Sequence, residues 1–155
     1  AMSESGEWGS LRAGEIAAEL PVKPDAAIWF IGRIRTPWLR LEDCPKRGDV
    51  EAGPSCRIEI DARWAPALAG LEERETLQIL YWLDRARRDL LLQSPSHLGR
   101  LTGTFSIRSP NRPNPIASDI VRLLAIEGNS LLVRGLDCLD MTPLIDLKPV
   151  HRERR

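Results

Sequence analysis

The chain has 155 residues, 43% of them hydrophobic and 28% charged, with 22 Lys and Arg against 22 Asp and Glu. Such a chain is long enough to bury a core of its own, and its balance excludes a disordered polyelectrolyte. No apolar run approaches the roughly 18 residues of a membrane span, and residues 1–7 lack the basic and apolar regions of a signal peptide, so no membrane partner is expected.

Residues 1–25 read as a polar extension with one helical candidate at Arg12–Leu20, where Ile16 and Leu20 give a weak apolar stripe before Pro21 and Pro24 end it. From residue 26 onward the chain reads as short strands. Ala27–Ile34 is rich in β-branched and aromatic residues and stops at Thr36-Pro37. Arg57–Asp61 alternates polar and apolar, the pattern of a half-buried strand. Leu77–Leu83 is nearly all apolar and predicts a strand buried on both faces. Ala86–Gln93 fits a short basic helix or a loop, and Gly103–Ile107 a further strand. Asp119–Ile126 and Ser130–Arg134 flank Glu127-Gly128-Asn129, a hairpin signal because Gly and Asn accept positive φ. A last strand at Leu144–Leu147 stops before Pro149. Many short strands and few helices predict a closed barrel or a sandwich.

Cys44, Cys56 and Cys138 are odd in number and lack metal-site spacing, and His97 and His151 are the only histidines. A reduced cytoplasmic compartment, no disulfide framework and no metal are therefore expected. Zero net charge conceals an asymmetry. Residues 1–84 carry 10 basic against 15 acidic side chains, residues 85–112 carry 6 against 1, and residues 113–155 carry 6 of each. The basic stretch holds Arg85, Arg87, Arg88, Arg100, Arg108 and Arg112, which suits a polyanion, or else a solvated face with internal ion pairs.

Two segments stand out chemically. In Arg108–Ile116 three prolines fix φ and remove three backbone donors, so the segment is a rigid loop and not a central strand. It is either a preorganised ligand loop or a stiff connector. In Leu136–Pro143, Asp137 and Asp140 stand three apart beside Thr142-Pro143, where they can meet a cationic ligand or stabilise their own turn. No dinucleotide fingerprint, phosphate loop or nucleophile elbow is present.

These segments resemble a known family. Gly103–Ile116 is similar to the signature Gly-x-Phe-x-Thr-Arg-Ser-Pro-x-Arg-Pro-Asn-Pro-Ile of the TrmO/YaeB-type S-adenosylmethionine-dependent tRNA methyltransferases, which act on threonylcarbamoyladenosine. Leu136–Pro149 resembles their Leu-Asp-x-x-Asp-Gly-Thr-Pro-x-x-Asp-Ile-Lys-Pro block, Ile31–Pro37 their opening strand, Pro45–Gly48 their Pro-Arg-Gln-Gly turn, and Gly70–Glu73 a further short element. The blocks keep the family's order over residues 28–149. Departures are Arg74-Glu75-Thr76 for Phe-Ser-His, Asp84 for a His, Met141 and Ala117 each for a Gly, and a shortened segment between Asp84 and Gly103.

The resemblance implies an all-β fold, a small antiparallel β-barrel with one or two short helices over 26–150, followed by a basic tail at 151–155. It implies a homodimer that binds S-adenosyl-L-methionine and N-methylates the modified adenosine in the anticodon loop of tRNA. Donor-binding positions carry over to Pro45, Lys46, Arg47, Asp84, Arg85, Arg108, Ser118, Asp140, Met141, Thr142 and Pro143. Arg87, Arg88, Arg100, Arg112 and Asn114 are then the nucleic-acid contacts, through phosphates or a splayed base. A carbamoyl-linked nitrogen is a poor nucleophile, and Asp84 and Asp140 are the candidate bases. Arg108 is offered either the donor carboxylate or the task of ordering Asp140. The alternative from another class is a non-catalytic barrel that binds S-adenosylmethionine or a nucleotide as a sensor or interaction module.

Overall fold

Apolar side chains at every second position commit Ser55–Ile60 to a strand with one dry face: Cys56, Ile58 and Ile60 are buried, and Arg57 and Glu59 are half-exposed. Among the described residues this is one of nine strands, β1 Ile16–Ala17, β2 Gly32–Arg35, β3 Ser55–Ile60, β4 Thr76–Trp82, β5 Leu90–Gln93, β6 Thr102–Gly103, β7 Ile116–Glu127, β8 Ser130–Arg134 and β9 Thr142–Pro149. The computed structural model describes residues 8–151, so residues 1–7 of the predicted extension and 152–155 of the predicted basic tail lie outside the described residues.

The chain forms two compact units, one of Ile28–Trp82 with the segment from Ala117 onward, the other of the segment up to Ala27 with Leu83–Ile116. The first is a closed antiparallel barrel with strand order β2-β3-β8-β7-β4-β9, the fold expected. Closure removes free sheet edges. The register places Ile34 opposite Ile58 and Ile58 opposite Leu131, so the fully buried side chains meet layer by layer inside. The predicted hairpin is present between β7 and β8, with Gly128 at φ 62° in the turn. Its Asn129 side chain donates to the Ile60 carbonyl, which ties the turn to β3.

Two predicted strands differ from expectation. β4 is not buried on both faces: Leu77, Ile79 and Tyr81 face the core, while Gln78, Leu80 and Trp82 are half-buried, because a barrel wall has only one inner side. β2 begins at Gly32, and the aromatic run before it lies outside the barrel core, with Trp29 76% exposed. Trp29 meets Trp64 at 6.2 Å, and Phe30 meets Trp82 at 6.4 Å with the Arg33 guanidinium above its ring.

The second unit carries a three-stranded sheet, β1-β5-β6. The predicted helix at Arg12–Leu20 is absent. Gly14 turns the chain at φ 80°, and β1 pairs Ile16 with Leu92 and Ala17 with Leu90. Glu15 fixes the turn by accepting from the backbone N–H groups of Arg12 and Ser94, so sheet pairing overrides a two-residue apolar stripe. Ala86–Gln93 contains β5 instead of a helix. The predicted strand Gly103–Ile107 gives way to a 3₁₀ turn at Thr104–Ser106, because the buried Thr104 hydroxyl donates inward to the Leu90 carbonyl and accepts from Gln93. Among the described residues the other helical pieces are 3₁₀ turns at Leu41–Asp43, Ala62–Leu68 and Leu71–Glu73, and no helix is long and apolar enough to cross a membrane.

Candidate functional site

After β8 the barrel chain runs through Gly135–Met141 into β9, and backbone bonds pin this turn against β2. Met141 N–H donates to the Ile34 carbonyl at 2.7 Å and Asp140 N–H to the Trp38 carbonyl at 2.8 Å. The Thr36 hydroxyl donates to the Cys138 carbonyl at 2.8 Å, and the Thr142 hydroxyl to that of Leu139 at 2.6 Å. Asp140 itself accepts from Arg35 Nε and from the Thr36 backbone N–H, both at 3.0 Å and both on Oδ1. Burial works to raise its pKa, but the Arg35 hydrogen bond and the Thr36 N–H outweigh burial and hold the carboxyl below its ordinary range. A carboxylate held low is a weak proton acceptor, so Asp140 suits ligand binding better than general-base work. The ordering role offered to Arg108 is filled by Arg35. Met141 takes φ 66°, the left-handed region, and is the non-glycine residue of this kind among the described residues.

A second predicted segment meets this turn. A Cβ on Gly48 would stand 1.6 Å from the Gly135 carbonyl oxygen, so only glycine lets the Pro45–Gly48 loop approach. Lys46 and Arg47, exposed on that loop, are thereby held beside the Gly135–Met141 turn. Asp49 closes the loop by accepting from the N–H groups of Glu51 and Ala52. Cys44 at its start lies close enough to Asp137 for that charge to raise the thiol pKa, after burial. Burial also pushes Cys56 to about 11 and Cys138 to about 12, so neither is a thiolate nucleophile near neutral pH. The three cysteines are free thiols.

Asp137, at the start of the motif turn, joins a cluster whose other two members, Tyr81 and Asp119, no sequence motif marks. Tyr81 of β4, 4% exposed, places its hydroxyl 2.6 Å from Asp119 Oδ2 of β7 and 3.1 Å from Asp137 Oδ1. Burial, the neighbouring Asp119 charge and a hydrogen bond with Asp119 raise the Asp137 carboxyl to about 6, against a smaller opposing effect of Tyr81. For Asp119 the signal in the sequence is an Asp at the head of the largely apolar run of β7. Arg35 and Thr36 are also site residues that the sequence does not single out, although both fall in a segment that resembles the family. Ser118, expected near the donor, accepts from Gln78 Nε2 at 2.9 Å on the barrel wall.

The other predicted residues belong to the second unit. Asp84 and Arg85 lie in the exposed turn after β4, and Arg108 is exposed at the start of the proline loop. That loop is folded by arginines. Arg88 Nε donates to the Pro113 carbonyl at 2.6 Å and its Nη2 to Asn114, while Arg112 Nη1 donates to the carbonyls of Ile107 and Ser109. Arg87 pairs with Asp89, donates to the Trp8 and Gly9 carbonyls, and lies over the Trp8 ring. Asn111 accepts from Arg87 N–H, and buried Gln93 donates to the Asn111 carbonyl. Two of the six arginines in the basic stretch, Arg88 and Arg112, therefore serve the loop's own architecture, Arg87 ties Asp89 to residues 8 and 9, and Arg85, Arg100 and Arg108 present exposed charge. Among the described residues no group of three or more His, Cys, Asp or Glu side chains is placed to hold a metal ion.

Residues 33–154 match the family model described as the tRNA-methyltransferase O N-terminal domain. The chain is 51% identical over 139 residues to the "Probable S-adenosyl-L-methionine-binding protein VirR" of Rhizobium radiobacter, covering 90% of this chain and 79% of that protein. It is 37% identical over 86 residues to a tRNA (adenine(37)-N6)-methyltransferase of Mus musculus, covering 54% of this chain and 20% of that one. Among solved structures it is similar to TrmO from Pseudomonas aeruginosa, with a TM-score of 0.66 and 28% identity over 81% of this chain and 56% of that chain.

Proposed function

The chain belongs to the tRNA-methyltransferase O N-terminal domain family, and from that premise we propose that it is an S-adenosylmethionine-dependent methyltransferase acting on tRNA. The observation that carries this reading is the meeting, in the barrel unit, of the Pro45–Gly48 loop with the Gly135–Pro143 turn through the Gly48–Gly135 approach. By resemblance the first segment holds donor positions at Pro45, Lys46 and Arg47 and the second at Asp140, Met141, Thr142 and Pro143. The site's residues fit such a ligand. Asp140 receives Arg35 and Thr36 on Oδ1, and its carboxylate has further acceptor capacity suited to the hydroxyl or ammonium groups of the donor. Lys46 and Arg47 supply positive charge for its carboxylate.

When bound, the donor supplies a methyl group on a sulfonium centre. Displacement there is in line, so the protein's contribution is orientation of the acceptor nitrogen against that methyl. Met141, 50% exposed, gives the turn an apolar surface, and the buried Pro143 and Thr142, the latter bonded to Leu139, fix its end. The exposed Arg85, Arg100 and Arg108 are suited to tRNA phosphates. The finer reading is N-methylation of threonylcarbamoyladenosine in the anticodon loop by a cytoplasmic homodimer, supported by the signature segments Gly103–Ile116 and Leu136–Pro149. The chain spans 56% of the Pseudomonas aeruginosa TrmO chain, so activity and partners of the whole protein are part of the proposal.

A second reading has a specific motive. The Rhizobium radiobacter relative is described by donor binding alone, and this chain departs from the family motif at Asp84 and Met141. A barrel that binds the donor without transferring its methyl group fits those facts. Incubation with methyl-labelled donor and unfractionated tRNA separates the readings. Label in RNA supports the methyltransferase; donor binding without label supports the sensor; absence of both sinks the assignment.

A further inference from the structure

Tyr81, Asp119 and Asp137 come from β4, from β7 and from the turn before β9, and the barrel brings their oxygens together. The Tyr81 hydroxyl has one proton and two carboxylate neighbours, at 2.6 and 3.1 Å. It can donate to only one of them. The Asp119 and Asp137 carboxyls also lie within hydrogen-bonding reach of each other. With both carboxyls ionised, the Tyr81 proton could serve only one of its two short contacts and the other would be repulsive. One added proton resolves the arrangement: Tyr81 donates to Asp119, and a neutral Asp137 donates to the Tyr81 oxygen or to Asp119. Burial strengthens this demand, since unpaired charge is poorly screened there.

Around the pair stand Tyr81 from β4, Cys138 beside Asp137 in the turn, Cys56 from β3, and Cys44 and Asp43 from the loop after β2, none of them cationic. Lys46 and Arg47 on the loop beside the turn are exposed, so solvent screens their charge. The pair is linked to the candidate donor turn by a short path: Asp137 precedes Cys138, whose carbonyl accepts from the Thr36 hydroxyl, and the Thr36 N–H donates to Asp140.

We propose that Asp119 and Tyr81 are positioning residues that hold the Asp137–Asp140 turn through one proton shared between two carboxyls and a phenol. This rests on the reading that the turn binds the donor. While the proton is present, Asp137 is anchored to the barrel wall and the Asp140 carboxylate is set by Arg35 and Thr36. Once it is lost, the two carboxylates repel, Tyr81 can serve only one, and the Asp137 end of the turn is released. Donor affinity then falls as pH rises through the titration of Asp137, at about 6.

The test is calorimetric titration of the whole chain with S-adenosylhomocysteine, the demethylated donor, from pH 5 to pH 8, with thermal melts at each pH to confirm folding. We expect affinity to fall about three- to tenfold across that range, the span that a half-unit to one-unit shift of the pair on binding produces. Asp137→Asn carries an amide that donates at every pH, so its affinity stays at the wild-type acidic value. Tyr81→Phe lowers affinity at acidic pH. Carbon-13 NMR of the aspartate carboxyls in the free protein should show one titrating near 6 that moves in Tyr81→Phe. Two carboxyls that both titrate in the ordinary range, or a pH dependence that persists in Asp137→Asn, overturn the proposal. A chain that binds no donor at any pH overturns the functional reading and the positioning role with it. The NMR titration needs no ligand, so it still decides whether the pair shares a proton.

Discussion

Arg35 and Asp140 lie 105 residues apart in sequence, yet Arg35 Nε donates to Asp140 Oδ1 at 3.0 Å across the β2–β9 seam of the barrel. The Arg35 side chain is 46% exposed and that of Asp140 only 14%, so the aspartate is the more deeply placed partner. Asp140→Ala leaves the Thr36 N–H without its acceptor and removes the carboxylate proposed to meet the donor. It should weaken donor binding by about tenfold or more, whereas Arg35→Ala, which keeps the carboxylate and the Thr36 bond, should cost less. Calorimetry on the two variants ranks them, and an equal or reversed ranking would sink the role given to Asp140.

Stability should pass through a maximum with pH. Asp140 is held below its ordinary value, so its contribution is present above that value and is lost as pH falls through the folded pKa. Asp137 is raised to about 6, so its contribution is complete below the ordinary carboxylate value and is lost as pH rises through 6. Melting temperature is expected to peak at about pH 4, near the ordinary carboxylate value, where the Asp140 contribution is complete and that of Asp137 begins to be lost. In Asp137→Asn the decline on the alkaline side should flatten while the acid side is kept. Calorimetric melts between pH 3 and pH 8 read this directly.

Met141 holds φ 66° with a side chain that is 50% exposed, a conformation that costs a non-glycine residue about 1 kcal/mol. Met141→Gly should therefore stabilise the barrel unit by up to about 1 kcal/mol, offset in part by greater freedom of the unfolded chain. Met141→Val should destabilise it, since a β-branched residue tolerates positive φ worse. Denaturant midpoints at constant slope are the measurement, and a destabilised glycine variant would contradict the argument.

Gly48→Ala tests the contact that brings the two donor segments together. Its Cβ would fall 1.6 Å from the Gly135 carbonyl oxygen, a backbone atom that cannot rotate away. Loss of about 2 kcal/mol or more is expected, with donor affinity reduced even at temperatures where the variant is folded. Gly70→Ala is the control, because nothing stands within 4 Å of its Cβ and its positive φ alone carries the cost. Unchanged donor affinity in folded Gly48→Ala would argue against the loop's part in the site.

The arginines of residues 85–112 should divide into two classes. Arg87, Arg88 and Arg112 donate to carbonyl groups of their own unit, so replacing any of them by Ala should cost about 1–3 kcal/mol of stability. Arg100→Ala and Arg108→Ala should leave stability within about 0.5 kcal/mol, and should lower tRNA affinity and the steepness of its salt dependence. Filter binding of tRNA at several salt concentrations, set beside melts, separates the classes. RNA affinity indifferent to salt and to both exposed arginines would leave them as ordinary surface.

Period-two alternation and turn chemistry are local, and they made much of the barrel legible from the chain alone. β3 and the β7–β8 hairpin could be read because Ile58, Ile60 and Gly128 obey rules that need only their neighbours. The motif segments likewise located the Asp140 turn, the Pro45–Gly48 loop and the proline loop. Local rules failed where long-range bonds decided the outcome. Glu15 and β5 drew residues 16–17 into a sheet against a weak helical stripe, and Thr104 turned inward where a strand was expected. Which arginine orders Asp140, which arginines are consumed in folding the proline loop, and that Tyr81 stands between Asp119 and Asp137 are facts of closure. A strand's side chains alternate by sequence, but the residue opposite each one is set only when the barrel wraps β9 back onto β2.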